Sequence, residues 1–527
     1  MRAIPSLIAR STPLLYFAAM RHALTAVLLI TLSSSTAYAQ AAATHEHGPT
    51  VAGRIPLEIL LRPVEIATGI GKVSHPTSVT APEAQAFYEQ GLAYLHSYQW
   101  LEAARSFNQA IRTVHDFPLA WAGLSRAYSG LEDPILARDA QKKALTFTNL
   151  TPREARWLDV RTKQLDAMEA PRDKADDAQF EYIKALNVAL EGDPLDAELW
   201  SQRGNAEEPG GAYGRGQRGT ASSIAFYERA IAIVPGHFGA HHYLIHTYEN
   251  IGIFDKALEH GKVYSEAASA VPHALHMYAH DLMKLGRTAE AIQVFSRANT
   301  IEHEYYASEK ISRDYDWHHS HNLALLALSH RHEGNLDEAE RLMREGATVE
   351  QQTPTRKGYY MGVLLDLLYA RGRHDEVIKE ATALAAWPQP AVKALGHSMA
   401  ARSMMAAGRV SEAAPHITAL ETATSEGGMY GTFAGLHAGL ARAEYELRTG
   451  KKTEGAARLR EVMTTARAQR TPDGWIEGLF TIESAFMVAK AVGEWDLAAD
   501  ASARLIEHDK AYAGTRTAAE AIAERRR

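Results

Sequence analysis

The chain has 527 residues, no cysteine, and a net charge of -7 with no strongly basic block. That length exceeds what one compact core supports, so several domains or an elongated array of repeats must share it. The missing basic footprint excludes a grip on a nucleic-acid backbone. The missing thiols exclude disulfides, thiolate catalysis and zinc–thiolate sites, and suit an oxidising compartment.

The first element is an export signal. Met20-Arg21-His22 is a short basic start, Ala23 to Leu32 is an apolar run, and Ala37-Tyr38-Ala39 is an A-x-A cleavage pattern. Residues 1–39 therefore read as a signal peptide, with Met20 as initiator and Gln40 as the first mature residue. The apolar run is too short to cross a bilayer, and no later stretch is long enough, so no transmembrane helix is expected. The expected location is exported, periplasmic or secreted.

Residues 40–80 are broken by Pro56, Pro63, Gly69, Gly71 and Pro76, which predicts an irregular lead-in covering the first repeat. From Ala81 the spacing turns helical and repeats. Gly91, Tyr94, Ala103, Phe107 and Ala110 mark the first unit, and Trp121, Tyr128, Ala137 and Ala144 the second. Later units carry a glycine followed five residues on by alanine: Gly252/Ala257, Gly286/Ala291, Gly334/Ala339, Gly408/Ala413 and Gly493/Ala498. Gly372 and Gly450 mark two less regular units. The glycine ends one helix in a left-handed conformation, and the alanine lets the next helix pack closely. The units divide into an N-terminal set (81–195), a central set (196–350) and a C-terminal set with its cap (351–527).

Two segments break the pattern. Residues 204–219 hold six glycines between two helices of one unit, and residues 303–317 add sequence before the next first helix. Inserted loops gather on one face of an array, often the binding face. Arg203, Arg215 and Arg218 in and beside the first insert could hold an anion.

The landmarks and their period resemble the tetratricopeptide repeat family over roughly residues 81–515, about ten units. The region 40–130, with the run from Gly69 to Val79 before that from Tyr88 to Ile111, is also similar to exported bacterial repeat proteins of unassigned activity. The resemblance implies an all-α fold, a right-handed superhelical solenoid of tetratricopeptide-type helical hairpins. It also implies a concave groove that binds a partner protein, peptide or polymer.

Fourteen of the 25 histidines fall between residues 237 and 332. His242, His246 and Glu249 share one helix face at i, i+4 and i+7, as do His273, His276 and His280 at i, i+3 and i+7. His242 and His276 are 34 residues apart, and so are His246 and His280, so they hold equivalent places in adjacent units. His318, His319 and His321 begin the next unit. Where the resemblance holds, these first helices line the groove, with His242, His246, Glu249, His273, His276, His280 and His321 facing into it. Helices about 8–10 Å apart could bring such imidazoles to one ion.

The expected metal ligands are His242, His246, His276 and His280, with Glu249 or His321 added. Glu207, Glu208 and Glu249 are the candidate acid–base groups, and His273, His318, His319, Arg215 and Arg218 further ligand contacts. Imidazole and carboxylate without sulfur suit Zn, Cu, Ni or non-haem Fe. Two functions stay open: groove capture of a protein, peptide or polymer, or a metal-dependent hydrolase, oxidoreductase or metal-handling protein. His45-Glu46-His47 is a lesser metal candidate.

Overall fold

The structure, a computed structural model, describes residues 55–213, 215–351, 353–422 and 428–526. The expected signal peptide and His45-Glu46-His47 lie outside the described residues. After one helical turn, α1 (Leu57–Leu60), the chain forms eleven helical hairpins. The N-terminal ones are α2/α3 (Pro82–His96, Trp100–Thr113), α4/α5 (Pro118–Gly130, Pro134–Ala144) and α6/α7 (Pro152–Glu169, Ala175–Gly192). The central ones are α8/α9 (Ala197–Asn205, Ala221–Ile233), α10/α11 (Phe238–Ile251, Phe254–Ala267), α12/α13 (Pro272–Lys284, Thr288–Glu309) and α14/α15 (Trp317–His332, Leu336–Ala347). The C-terminal ones are α16/α17 (Pro354–Ala370, His374–Leu384), α18/α19 (Pro390–Ala406, Val410–Glu421), α20/α21 (Gly428–Arg448, Lys452–Arg467) and α22/α23 (Pro472–Ala491, Trp495–His508). Helix α24 (Ala513–Arg526) caps the array. Among the described residues there is no strand. The fold is an all-α, right-handed superhelical solenoid of tetratricopeptide-type hairpins.

The local chemistry matches the sequence landmarks. Gly252, Gly286, Gly334, Gly372, Gly408, Gly450 and Gly493 all sit at the hairpin corners with φ between 72° and 89°. There the αL conformation is free of Cβ strain only for glycine. Ala257, Ala291, Ala339, Ala413 and Ala498 are fully buried against the preceding helix. Larger side chains there would force the hairpins apart. Several first helices begin with proline, and Thr151 and Glu154 form a reciprocal capping box on α6.

The first two hairpins lack the corner glycine. Tyr98 (φ 55°) and Glu132 (φ 61°) occupy the left-handed region instead, at a cost of about 1–2 kcal/mol each. For Tyr98 the compensation is visible. Its ring is 1% exposed, and its hydroxyl donates to the Arg215 carbonyl.

Both ends of the superhelix fold onto its centre. Helix α2 packs on α10, and α22 packs on α12. Trp317 Nε1 donates to the Tyr98 carbonyl (3.3 Å), Lys284 Nζ to the Arg470 carbonyl (2.9 Å), and His332 Nε2 meets Asp509 Oδ2 (2.8 Å). The lead-in crosses several hairpins. Leu60 O accepts from Asn108, Ala270 N donates to Gly69 O (2.8 Å), and Gly71 lies against the Phe238 ring. Residues 60–71 thus touch the first hairpin and the central ones.

The glycine-rich insert shortens α8 and folds inward over α10. Gly216 abuts Tyr243, and Asn250 Nδ2 donates to Gln217 O (3.0 Å). The second insert is mostly helix. It extends α13 to 22 residues, because Glu302, Tyr305 and Glu309 share a face and each finds a partner. Glu302 meets His318 and His319, Tyr305 bonds Glu102, and Glu309 pairs with Arg105.

Candidate metal centre

Helices α10, α12 and α14 are the first helices of three successive hairpins, and their inner faces carry the histidines. The structure gathers these into two sets of three. His242, His246 and His273 form one; His276, His280 and His321 form the other. In each, the nitrogens lie within 4.8 Å of one another. The set expected from sequence, His242 and His246 with His276 and His280, is divided between the two. His273, expected only as a ligand contact, completes the first triad, and His321 the second. His318 stands between them, its ring centre 4.9 Å from that of His273 and 4.5 Å from that of His276.

The Nδ1 atoms show how the rings are held. His242 Nδ1 donates to the His96 carbonyl (2.6 Å), so Nε2 bears the lone pair. Asn322 Nδ2 donates to the Phe295 carbonyl, which turns its Oδ1 to His276 Nδ1 (2.9 Å) and makes that nitrogen the donor. His318 Nδ1 meets Glu302 Oε1 at 2.6 Å, and His321 Nδ1 faces Asp473 Oδ1 at 3.3 Å. His246 and His280 both turn Nδ1 toward Glu249 at 3.7 Å. Six rings thus aim Nδ1 at an oxygen acceptor and leave Nε2 for the interior, the arrangement that orients metal-bound histidines.

The interior atoms are poorly matched to one another. His276 Nε2 lies 2.6 Å from His280 Nε2, and His242 Nε2 lies 3.0 Å from His273 Nε2. With Nδ1–H toward Glu249, His280 opposes its Nε2 lone pair to that of His276. The other tautomer turns an Nδ1 lone pair against the Glu249 carboxylate. The first choice sets two acceptors face to face at 2.6 Å; the second leaves the Nδ1 lone pair buried without a donor, 3.7 Å from the carboxylate. The Nε2 atoms of His246 and His318 are buried with no hydrogen-bond partner, a state that native interiors avoid.

Burial, reinforced by the neighbouring imidazoles, holds His242, His273 and His276 well below the ordinary histidine range. Burial pushes His280 down to about 4 although Glu249 pulls the other way. These four rings are neutral at pH 7, the form in which an imidazole can bind a metal. Burial alone would raise Glu249. The Lys284 ammonium, 2.8 Å away, and the two imidazoles hold it well below the carboxylate range instead. Burial would likewise raise Glu302, but its bonds to His318 and His319 bring it down to about 2.

The remaining candidates take other places. Glu207 pairs with Arg203. Glu208 accepts from Arg218 N and Tyr227 OH, and burial raises it to about 7. Arg215 donates to the Ser129 carbonyl. His319 turns from the triads toward His303 and Glu345. A further buried group, His96, Glu198 and His237, is a hydrogen-bond network. His237 Nδ1 accepts from Ala240 N, so its other nitrogen bears hydrogen and faces Glu198 at 3.2 Å. Sequence reasoning missed Tyr98, Asn322, Glu302 and Asp473 as supports of the centre. Only Glu302, one hairpin turn before His318, left a local trace.

No protein-family model matches the chain, and no curated protein matches it. Among solved structures it is similar to MamA, at 20% identity over 34% of this chain and 92% of that one, TM-score 0.19. It is also similar to yeast Tom70, at 13% identity over 79% of this chain and 93% of that one, TM-score 0.34.

Proposed function

We propose that the protein holds two first-row transition-metal ions inside its solenoid, one on each histidine triad. The observation that carries this reading is the facing of Nε2 atoms across 2.6 Å while their Nδ1 atoms point at oxygen acceptors. A cation between them removes the conflict that both tautomers of His280 leave. All-imidazole donors suit Cu, Zn, Ni or Fe. Three protein ligands leave a coordination position free, the pattern of sites that do chemistry rather than only staple a fold. His318, with Glu302 behind it, is the candidate to join or bridge the two. Glu249, already paired with Lys284, orients His246 and His280 and is a poor base.

Elemental analysis after loading with Zn(II), Cu(II), Ni(II) or Fe(II) tests this. We expect two ions per chain, one fewer in His246→Ala, one fewer in His280→Ala, and none in the double variant. A folded protein that takes up no metal, or both variants keeping the full content, would refute it.

A second reading is capture of a protein, peptide or polymer by the repeat array. At the histidines the concave side is filled by the chain itself. This reading rests on Phe180, Val188 and Leu195, which are 64%, 51% and 67% exposed on and just beyond α7. Loss of a co-purifying partner on Phe180→Ser with Val188→Ser would support it. We also propose export, on residues 1–39; N-terminal sequencing of the mature protein tests for Gln40.

A further inference from the structure

A partly open cavity of about 60 Å³ lies between α4, α6, α7, α8 and the glycine-rich insert. At about 10–15 Å³ for each water centre, it has room for roughly four to six waters. Arg126, Arg161 and Arg215 all line it, with Tyr182, Gln202 and Asn205, and no Asp or Glu lines it. An adjoining cavity shares Arg126, Arg161 and Gln202, and its far side carries Glu198, which His96 and His237 already engage.

The three guanidinium groups have no carboxylate in contact. Arg161 is 4% exposed. Its bonds go to Ser125 Oγ and O, Ser129 Oγ and Gln164 Oε1, all neutral. Arg215 donates to the Ser129 carbonyl and lies over the Trp100 ring. Arg126 makes neither a hydrogen bond nor an ion pair with any described residue. Glu132, Glu169 and Glu208 act on this region only from outside the lining. Burial and the Arg126 charge push the Arg161 guanidinium down to about 9, and burial lowers Arg215. Elsewhere in this chain buried arginines have acidic partners: Arg105 has Glu102 and Glu309, and Arg331 has Asp366. Like charges drawn together with no carboxylate in contact oppose folding, and of the three guanidinium groups Arg161 is buried while Arg126 and Arg215 are half-buried at the cavity.

We infer that this chamber is a binding site for a small oxyanion, a phosphate or a short carboxylate, held by Arg126, Arg161 and Arg215. Guanidinium forks match such oxygens in pairs, and the neutral amides and phenols supply the remaining contacts. The chamber is separate from the histidine triads. Tyr98 and Tyr243 form a wall between them, for they line the cavity while their rings also lie against His242.

Calorimetric titration with inorganic phosphate, and separately with succinate, tests the inference and tells the two anion classes apart. One saturable site per chain is expected for at least one probe. Its affinity should fall at least about tenfold in Arg126→Gln, which removes a charge-assisted contact, and should persist in His246→Ala. Arg215→Gln on the insert is an independent second variant with the same expected loss. No saturable binding of either probe at millimolar concentration would overturn the inference. So would equal affinity in both arginine variants, or loss only in His246→Ala, which would move the anion to the metal centre.

Discussion

From the last central hairpin into the C-terminal ones, Arg331, Asp366, Arg402 and His437 follow one another at intervals of 35, 36 and 35 residues. In the central hairpins His242 and His276, and His246 and His280, recur at 34. Both ladders sit on the inner faces of first helices and both are buried. The C-terminal one alternates charge. Arg331 and Arg402 flank Asp366, whose carboxyl they hold far below its usual range against the cost of burial. Burial keeps His437 near 4, so it stays neutral and accepts from Arg402 Nη1 (2.9 Å). The central ladder is uncharged, and in it His276 and His280 bring Nε2 against Nε2 at 2.6 Å. One fold therefore buries polar groups in two ways: with opposite charges in contact, or as clustered neutral imidazoles.

The largest expected effects come from removing one carboxylate in each ladder. Asp366→Asn removes the carboxylate shared by two buried guanidinium groups, leaving Arg331 only the more distant Glu483 and Arg402 only His437, and should lower unfolding free energy by about 3–5 kcal/mol. Urea titration measures this, and bound metal should stay unchanged. Glu249→Gln strands Lys284 and should destabilise by a similar ~3–5 kcal/mol. It should also weaken metal affinity about 10–100-fold through the loosened His246 and His280. Equal metal affinity in both variants would erase the distinction.

Acid separates the ladders next. A histidine lowered on folding takes up protons more readily when unfolded, so stability rises with pH between the two values. For His280 that window runs from about 4 folded to 6.5 unfolded. Metal-free protein should therefore lose stability as pH falls from 6.5 toward 4. Hydrogen exchange should show α10, α12 and α14 opening first, and bound metal should move the loss to lower pH. The Asp366 contribution should persist through that window and be lost only below the ordinary carboxylate range, where its unfolded counterpart takes up a proton; in the C-terminal ladder His437 alone, also near 4, shares the histidine window. Opening that starts in α16 or α18 would reverse the assignment.

The smallest expected effect is Gly408→Ala. The site has φ +78° and open space around it, so only backbone strain is added, about 1 kcal/mol. A melting shift of a few degrees with unchanged metal binding is expected; a change in metal content would mean the ladders communicate over a long distance.

Most of the fold was legible. The corner glycines, buried alanines and proline starts are local signals, each with one physical meaning. The phase of the histidines was legible too, since a 34-residue period places side chains on one face. Which imidazoles share a site was not. The division into triads depends on the stagger between neighbouring helices, which brings His273 to His242 and His321 to His276. Their supports are further off in sequence: the His96 carbonyl lies 146 residues from His242, and Asp473 comes from α22. Superhelical closure sets those meetings, and it accumulates over many hairpins without any single residue announcing it. Tyr98 was hidden for a related reason, because a bulky residue at a corner made for glycine reads from sequence as an imperfect repeat.

The lead-in has a consequence for how the chain is made. Arg62 bonds the Glu309 carbonyl across 247 residues, and Gly69 waits for Ala270. At about 5–20 residues per second, that separation takes roughly 12–50 s to synthesise. Ile55, Ile59 and Leu60 can settle early on the N-terminal core, but Ile70 must wait for the central cluster of Phe238 and Tyr264. A nascent chain leading with its N-terminus thus travels with its own latch undone, and a companion that shields that segment would be felt in yield before it was felt in stability.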